Sequence, residues 1–136
     1  MTGLSRGDLR PYPNRPPTAH DGPMACVLTN DLDEGQCWAL LSTASLGRVA
    51  LSVRALPMIV PVRFGVDGRK LRAHLPRGTD LDDAVAGAVV AFEADGYDQD
   101  VGRAWTVHAV GRVLGQDTTG FRIEPCVLEG AWLTFT

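Results

Sequence analysis

LGRVALSVRALPMIVPVRFGVDGRKLRAH, residues 46–74, holds three apolar runs: Val49–Val53, Leu56–Phe64 and Lys70–His74. The break between the first two, Arg54-Ala55, is tight. The second break, Val66-Asp67-Gly68-Arg69, carries an Asp-Gly pair, a strong hairpin signal because Gly accepts positive φ. In the third run Leu71 and Ala73 point one way and Arg72 and His74 the other, as the two-residue period of a strand demands. The simplest account is a meander of three antiparallel strands.

Downstream, Pro76 and Gly78 break the third strand, and Thr79 caps a short helix whose first turn carries Asp80, Asp82 and Asp83. Acidic residues there match the positive end of the helix dipole, and Gly87 closes the helix. Residues 88–94, AVVAFEA, read as a fully buried strand. The segment from Asp95 to Arg103 reads as a polar loop, Trp105 to Leu114 as a strand, and Gly115 to Gly120 as a turn. Phe121 to Leu128 is the last expected strand.

Upstream, Asn30, Asp31 and Asp33 are candidate N-caps for a helix over about Asp33 to Thr43, where Cys37, Leu40 and Leu41 recur at helical spacing. Residues 1–27 are studded with Pro11, Pro13, Pro16, Pro17 and Pro23, which suit neither a helix nor a central strand. They read as an extended or disordered, flexible arm, with one folded domain over 28–136. The expected order is α–βββ–α–β–β–β, and short antiparallel strands of this kind close into small barrels that hide their edges.

With 13 basic and 16 acidic side chains, the net charge of −3 argues against a nucleic-acid partner. No apolar run approaches the roughly 18 residues that span a bilayer, and Gly3, Ser5, Arg6, Gly7 and Asp8 interrupt any signal-peptide core. A cytoplasmic location is the expectation. The cysteines, Cys26, Cys37 and Cys126, are too few and scattered for a disulfide framework or a zinc ribbon, and no metal site is expected. Cys37 beside Trp38 reads as a small buried hydrophobe.

An ordered set of segments resembles the pyridoxamine 5′-phosphate oxidase-like family of FMN-binding split β-barrels, especially its short actinobacterial-type members. These are CWALL at 37–41, LGRVALSV at 46–53, MIVPVRFGVDG at 58–68, RGTDL at 77–81, VAFEADGYD at 90–98, GRAWTVHAVGRV at 102–113 and FRIEPCVLEG at 121–130. The resemblance implies a mainly β (α+β) chain: an antiparallel six-stranded split β-barrel with two short helices. It further implies a homodimer binding FMN, or a deazaflavin coenzyme, in clefts at the subunit interface.

By the same resemblance, Pro61, Val62, Arg63 and Phe64 line the flavin ring, and His74, Leu75, Arg77, Gly78, Thr79 and Asp80 map to the phosphate turn. Trp105 maps near the partner's flavin. A turn feeding a helix start offers free N–H groups to a phosphate, and an arginine offers a fork of donors. The implied function is a flavin- or deazaflavin-dependent oxidoreductase acting on a small organic substrate, with no residue singled out as a general acid or base. Leu75 and Asp80 stand where relatives carry a hydroxyl residue and a lysine, and an anion repels a phosphate. They motivate an alternative, a non-catalytic dimeric split-barrel binding protein with a degenerate flavin site and no cofactor. A haem-binding barrel with His74 or His108 as axial ligand is a third reading. Each named residue also has a plain structural role: strand-edge proline, solvated arginine, packed tryptophan. Glu93 and Asp95 have the spacing of paired carboxylates on one strand face.

Overall fold

Two tight turns set the registers of the meander. At Arg54-Ala55 both residues take positive φ, 52° and 67°, the left-handed pair that lets a two-residue turn follow strand twist. This turn fixes every pair of the first hairpin, from Val53↔Leu56 out to Leu46↔Arg63. Gly68, at φ 63°, turns the second, which runs from Asp67↔Lys70 to Arg63↔His74. An Arg and an Ala held left-handed each cost about 1–2 kcal/mol. Replacing the pair with Asn-Gly is expected to raise stability by about 1 kcal/mol, read as a higher urea midpoint at unchanged m-value.

The computed structural model describes residues 26–76, 79, 81–117 and 120–135. Its elements are β1 (Cys26–Leu32), α1 (Glu34–Leu41), β2 (Leu46–Val53), β3 (Leu56–Asp67), β4 (Lys70–His74), α2 (Asp82–Val85), β5 (Val89–Asp98), β6 (Arg103–Gln116) and β7 (Gly120–Phe135). The sheet order is β1-β7-β4-β3-β2-β5-β6, all antiparallel, and β6 pairs again with β7. Six strands, β2 to β7, therefore close a barrel, and β1 is added outside the ring. This is the expected six-stranded barrel with one strand more.

β7 serves three neighbours. β6 occupies one of its edges from Phe121 to Leu133, so β4 and β1 share the other at different levels. On that edge the β4 ladder stops at Ile123 and the β1 ladder begins at Gly130. Where β4 meets β7, Gly120 is the only residue type that fits, since a Cβ there would lie 1.9 Å from the Ala73 carbonyl oxygen.

Alternation fills the barrel. Val49, Leu51, Val60, Val62, Phe64, Leu71, Ala73, Val90, Phe92, Ala94, Val107 and Ala109 are all buried. Phe64 and Phe92 meet edge to face, with centroids 4.9 Å apart and planes at 74°. α1 contributes Cys37 and Leu41, both at 0% exposure. Its start is a capping box in which Asp33 Oδ1 accepts from the Gln36 N–H and Gln36 Oε1 accepts from the Asp33 N–H, both at 2.8 Å.

Several expectations need correcting. The proline-rich arm lies outside the described residues through residue 25, and Cys26 and Val27 belong to β1, so the folded domain starts before residue 28. The helix expected over Asp33 to Thr43 is two residues shorter at its end, at Leu41. β5 alternates between exposed and buried residues instead of being buried throughout, because only its inner face meets the core. The loop expected from Asp95 to Arg103 contracts to the turn 99–102, and β7 runs seven residues beyond Leu128 because β1 is there to pair with it.

Candidate functional site

The two hairpin registers line up Leu46, Arg63 and His74 as cross-strand neighbours on β2, β3 and β4. Beyond His74 the chain leaves the sheet through Leu75-Pro76. Together with Pro61 and Val62 these residues line an open cleft of about 300 Å³. The β3–β4 ladder ends at Arg63↔His74, so Pro61 sits where its missing N–H leaves no ladder bond unmade.

The cleft carries Arg63 and His74 and, among its lining residues, no carboxylate. Arg63 is exposed and makes no ion pair with another described residue. Such a site suits an anionic group beside a flat apolar body: a guanidinium fork for oxygens, and Leu46, Pro61, Val62 and Leu75 for the body. Thr79, whose N–H donates to the Pro76 carbonyl at 3.2 Å, continues the turn. Arg77, Gly78 and Asp80 lie outside the described residues.

The other expected site residues lie apart from the cleft. Phe64 turns its ring into the barrel against Phe92, and its N–H donates to the Ser45 carbonyl at 2.9 Å. Trp105 is 4% exposed and its indole lies on Gly96, where a Cβ would come within 2.7 Å of Nε1. Its cross-strand neighbour Trp132 is covered by Arg103, 4.4 Å from the ring centroid. Leu46 is a lining residue that motif reading missed. The register fixed by the Arg54-Ala55 turn was the signal that could have found it.

On the outer face of β2, β5 and β6 the expected carboxylate pair is part of a network. Arg48 Nη1 donates to Glu93 Oε1 at 2.7 Å and lies 3.6 Å from Asp95 Oδ2. Thr106 Oγ1 donates to Glu93 Oε2 at 2.8 Å and lies 3.3 Å from His108 Nε2. Burial pushes the Glu93 carboxyl above its ordinary range, and a hydrogen bond with Asp95 adds to this, against the opposing pull of the Thr106 hydroxyl and Arg48.

A carboxyl whose pKa is higher folded than unfolded binds more protons in the folded state, so its contribution to stability is lost as pH rises. Between the ordinary Glu value of 4.5 and the raised folded value, the melting temperature is expected to carry a downward component from Glu93. Glu93→Gln is expected to remove that component from a pH series of melting curves.

Cys37 is inert by position, since burial, then the charges of Asp33 and Glu34, push its thiol up. No group of three His, Cys, Asp or Glu residues among those described is arranged to hold a metal ion. No helix among the described residues is long and apolar enough to cross a membrane.

Comparison with known proteins follows this geometry. A family model for pyridoxamine 5′-phosphate oxidase matches residues 33–117. An uncharacterized protein of Mycobacterium tuberculosis is 37% identical over 86 residues, covering 60% of this chain and 57% of that protein. The match thus spans little more than half the length of that relative. The structure of an FAD-binding protein from Mycobacterium smegmatis aligns with a TM-score of 0.63 at 31% identity, over 79% of this chain and 98% of that one. A protein of Corynebacterium glutamicum named for pyridoxamine 5′-phosphate oxidase aligns with a TM-score of 0.64 at 26% identity, over 85% and 98% of the two chains.

Proposed function

The chain belongs to the pyridoxamine 5′-phosphate oxidase family, and from that premise we propose that it is a homodimeric flavin-dependent oxidoreductase acting on a small organic substrate. The observation that carries this reading is the cleft of Leu46, Pro61, Val62, Arg63, His74, Leu75 and Pro76, cationic at one edge and apolar elsewhere. FMN, or a deazaflavin coenzyme, would be held with its phosphate toward Arg63 and His74. The arginine supplies paired donors and the histidine one more ring N–H, while Leu46, Pro61 and Val62 give the ring a water-excluding wall. The bound flavin supplies the hydride and electron transfer, and the protein's part is to orient it and keep solvent out.

A second copy would complete the site. The cleft's volume is at the lower end for small-molecule sites, and one side is open. Beside it the outer face of the sheet carries an unbroken cross-strand row, Ile59, Ala50, Ala91, Val110 and Val127, from β3 across β2, β5 and β6 to β7. Ile59 at 72% exposure and Leu46 at 62% are large apolar surfaces left to solvent by one chain alone. Pairing this face with its twin covers them and closes the cleft.

The test is an absorbance spectrum of the purified protein followed by titration with FMN and with a deazaflavin, alongside mass measurement in solution. A dimer that binds one of them with a Kd on the order of tens of micromolar or tighter is expected. A stable monomer, or failure of both coenzymes to bind, overturns the reading. The half-buried apolar Leu75 on the cleft wall favours one rival, a dimer whose flavin site has degenerated into a pocket for another ligand. Under that rival, wild type binds no flavin and the double change Leu75→Thr with Asp80→Lys restores binding.

A further inference from the structure

The outer face of the sheet carries two neighbouring cross-strand rows of opposite character. One is the apolar row Ile59, Ala50, Ala91, Val110 and Val127. The other, two residues further along each strand toward the cleft, reads Pro61, Arg48, Glu93, His108 and Glu129. Pro61 is itself part of the cleft wall. The charged row therefore lies between the apolar row and the cleft, and a pairing of two copies that covers both must cover it too.

Within one chain Asp95 and Thr106 tie this row into a network. Arg48 Nη1 reaches both Glu93, at 2.7 Å, and Asp95, at 3.6 Å, while Thr106, only 4% exposed, donates to Glu93 Oε2. From β6, His108 Nε2 approaches the Thr106 hydroxyl to 3.3 Å, and from β7, Glu129 stands cross-strand from His108. β3 brings only the uncharged Pro61 to the row, with Arg63 one row further on, opposite Leu46. Arg112 and Glu124, on the far side of the apolar row, stand cross-strand and balance each other.

With the imidazole neutral, Arg48 is the one cation of the row against three carboxylates, Glu93, Asp95 and Glu129. A twofold axis sets the surplus of each copy into the same seam as that of its twin. Like charges brought together and taken out of water oppose association. Protons relieve both costs. The hydrogen bond between the Glu93 and Asp95 carboxyls needs a proton on one of them, and burial already favours the protonated form of Glu93 in the single chain. Covering the pair with a second copy favours it further, so two joined copies hold more protons than two separate ones.

We propose that the copies associate with uptake of protons at Glu93 and Asp95, the carboxyl pair held by Arg48 and Thr106, an inference that rests on the dimeric reading above. Acid then draws the copies together and closes the flavin cleft, and alkali opens it.

Sedimentation of the full chain without flavin, from pH 8 down to pH 5.5, reads the dimer Kd independently of any coenzyme. One proton taken up per dimer changes Kd by about tenfold per pH unit, so Kd is expected to fall by about tenfold or more across this range. Glu93→Gln keeps the shape without the charge. It is expected to tighten the dimer at pH 8 by about threefold or more and to remove most of the pH response. Asp95→Asn, at an exposed position, takes the other charge of the pair and is expected to act in the same direction, with melting curves reading the fold of both variants. His108→Gln is expected to keep most of the response. A dimer whose Kd ignores pH or tightens toward alkali overturns this inference and leaves the dimer standing. A full response in both Glu93→Gln and Asp95→Asn, or its loss in His108→Gln, moves the proton elsewhere and overturns it as well. A monomer at every pH overturns the dimeric reading together with it.

Discussion

Arg63→Glu is expected to weaken FMN binding by at least about a hundredfold, with little change in the stability of the flavin-free protein. Losing a charge-assisted hydrogen bond to a phosphate costs about 1.5–3 kcal/mol, and an anion in its place adds repulsion of about 1 kcal/mol or more. Each 1.4 kcal/mol is about tenfold in Kd. The fold is spared because the Arg63 side chain is exposed and holds no ion pair with another described residue. Arg63→Lys keeps the charge without the fork and is expected to fall between the two. Fluorescence titration of FMN, with melting curves of the apo variants, reads both quantities. Wild-type affinity in Arg63→Glu would remove this residue from the proposed phosphate site.

The largest loss of stability is expected from Phe92→Ala, at about 3–5 kcal/mol. Phe92 is 2% exposed, stands edge to face with Phe64, and fills the space that a Cβ at Gly47 would otherwise take, 2.8 Å from its Cζ. No side chain nearby can collapse into the hole without giving up its own packing. Against a whole-domain stability of about 5–15 kcal/mol, such a loss leaves a barely folded protein. Phe92→Leu keeps most of the volume and is expected to cost less than half as much. Equilibrium urea unfolding of both variants checks this, and a loss below about 1 kcal/mol for Phe92→Ala would mean the core is not packed as described.

The barrel was legible because its hairpins advertise themselves. Asp67-Gly68 names its own turn, and the alternation of Leu71, Arg72, Ala73 and His74 gives the face of β4 before any pairing is known. The missed elements are those whose state is decided by a distant neighbour. β1 contains Asn30 and Asp31, poor strand formers, and is a strand only because the far end of β7 pairs with it. Gly96 reads as a loop residue, yet it stays in β5 because the Trp105 ring needs its bare backbone.

The site divides in the same way. Pro61, Val62, Arg63, His74 and Leu75 come together because a hairpin register is local information. Arg48 and Thr106, which organise the Glu93 and Asp95 carboxylates, were invisible to motif reading, because Arg48 meets Glu93 only through the pairing of β2 with β5, 45 residues apart. Trp105 was singled out by its place in a motif. Its burial within its own barrel follows from a closure that no window of sequence contains.

The place of β7 in the chain also shapes how the protein is made. A ribosome delivers β1, β4 and β6 first, and each must wait with a naked edge for the one strand they have in common. Sealing Cys26 against Phe135 then ties together residues far apart in the chain, a slow step in which much chain freedom is given up at once. Until β7 docks, the edges of β1, β4 and β6 stay open to pairing with other chains, so the last strand to be made is also the one that seals the sheet.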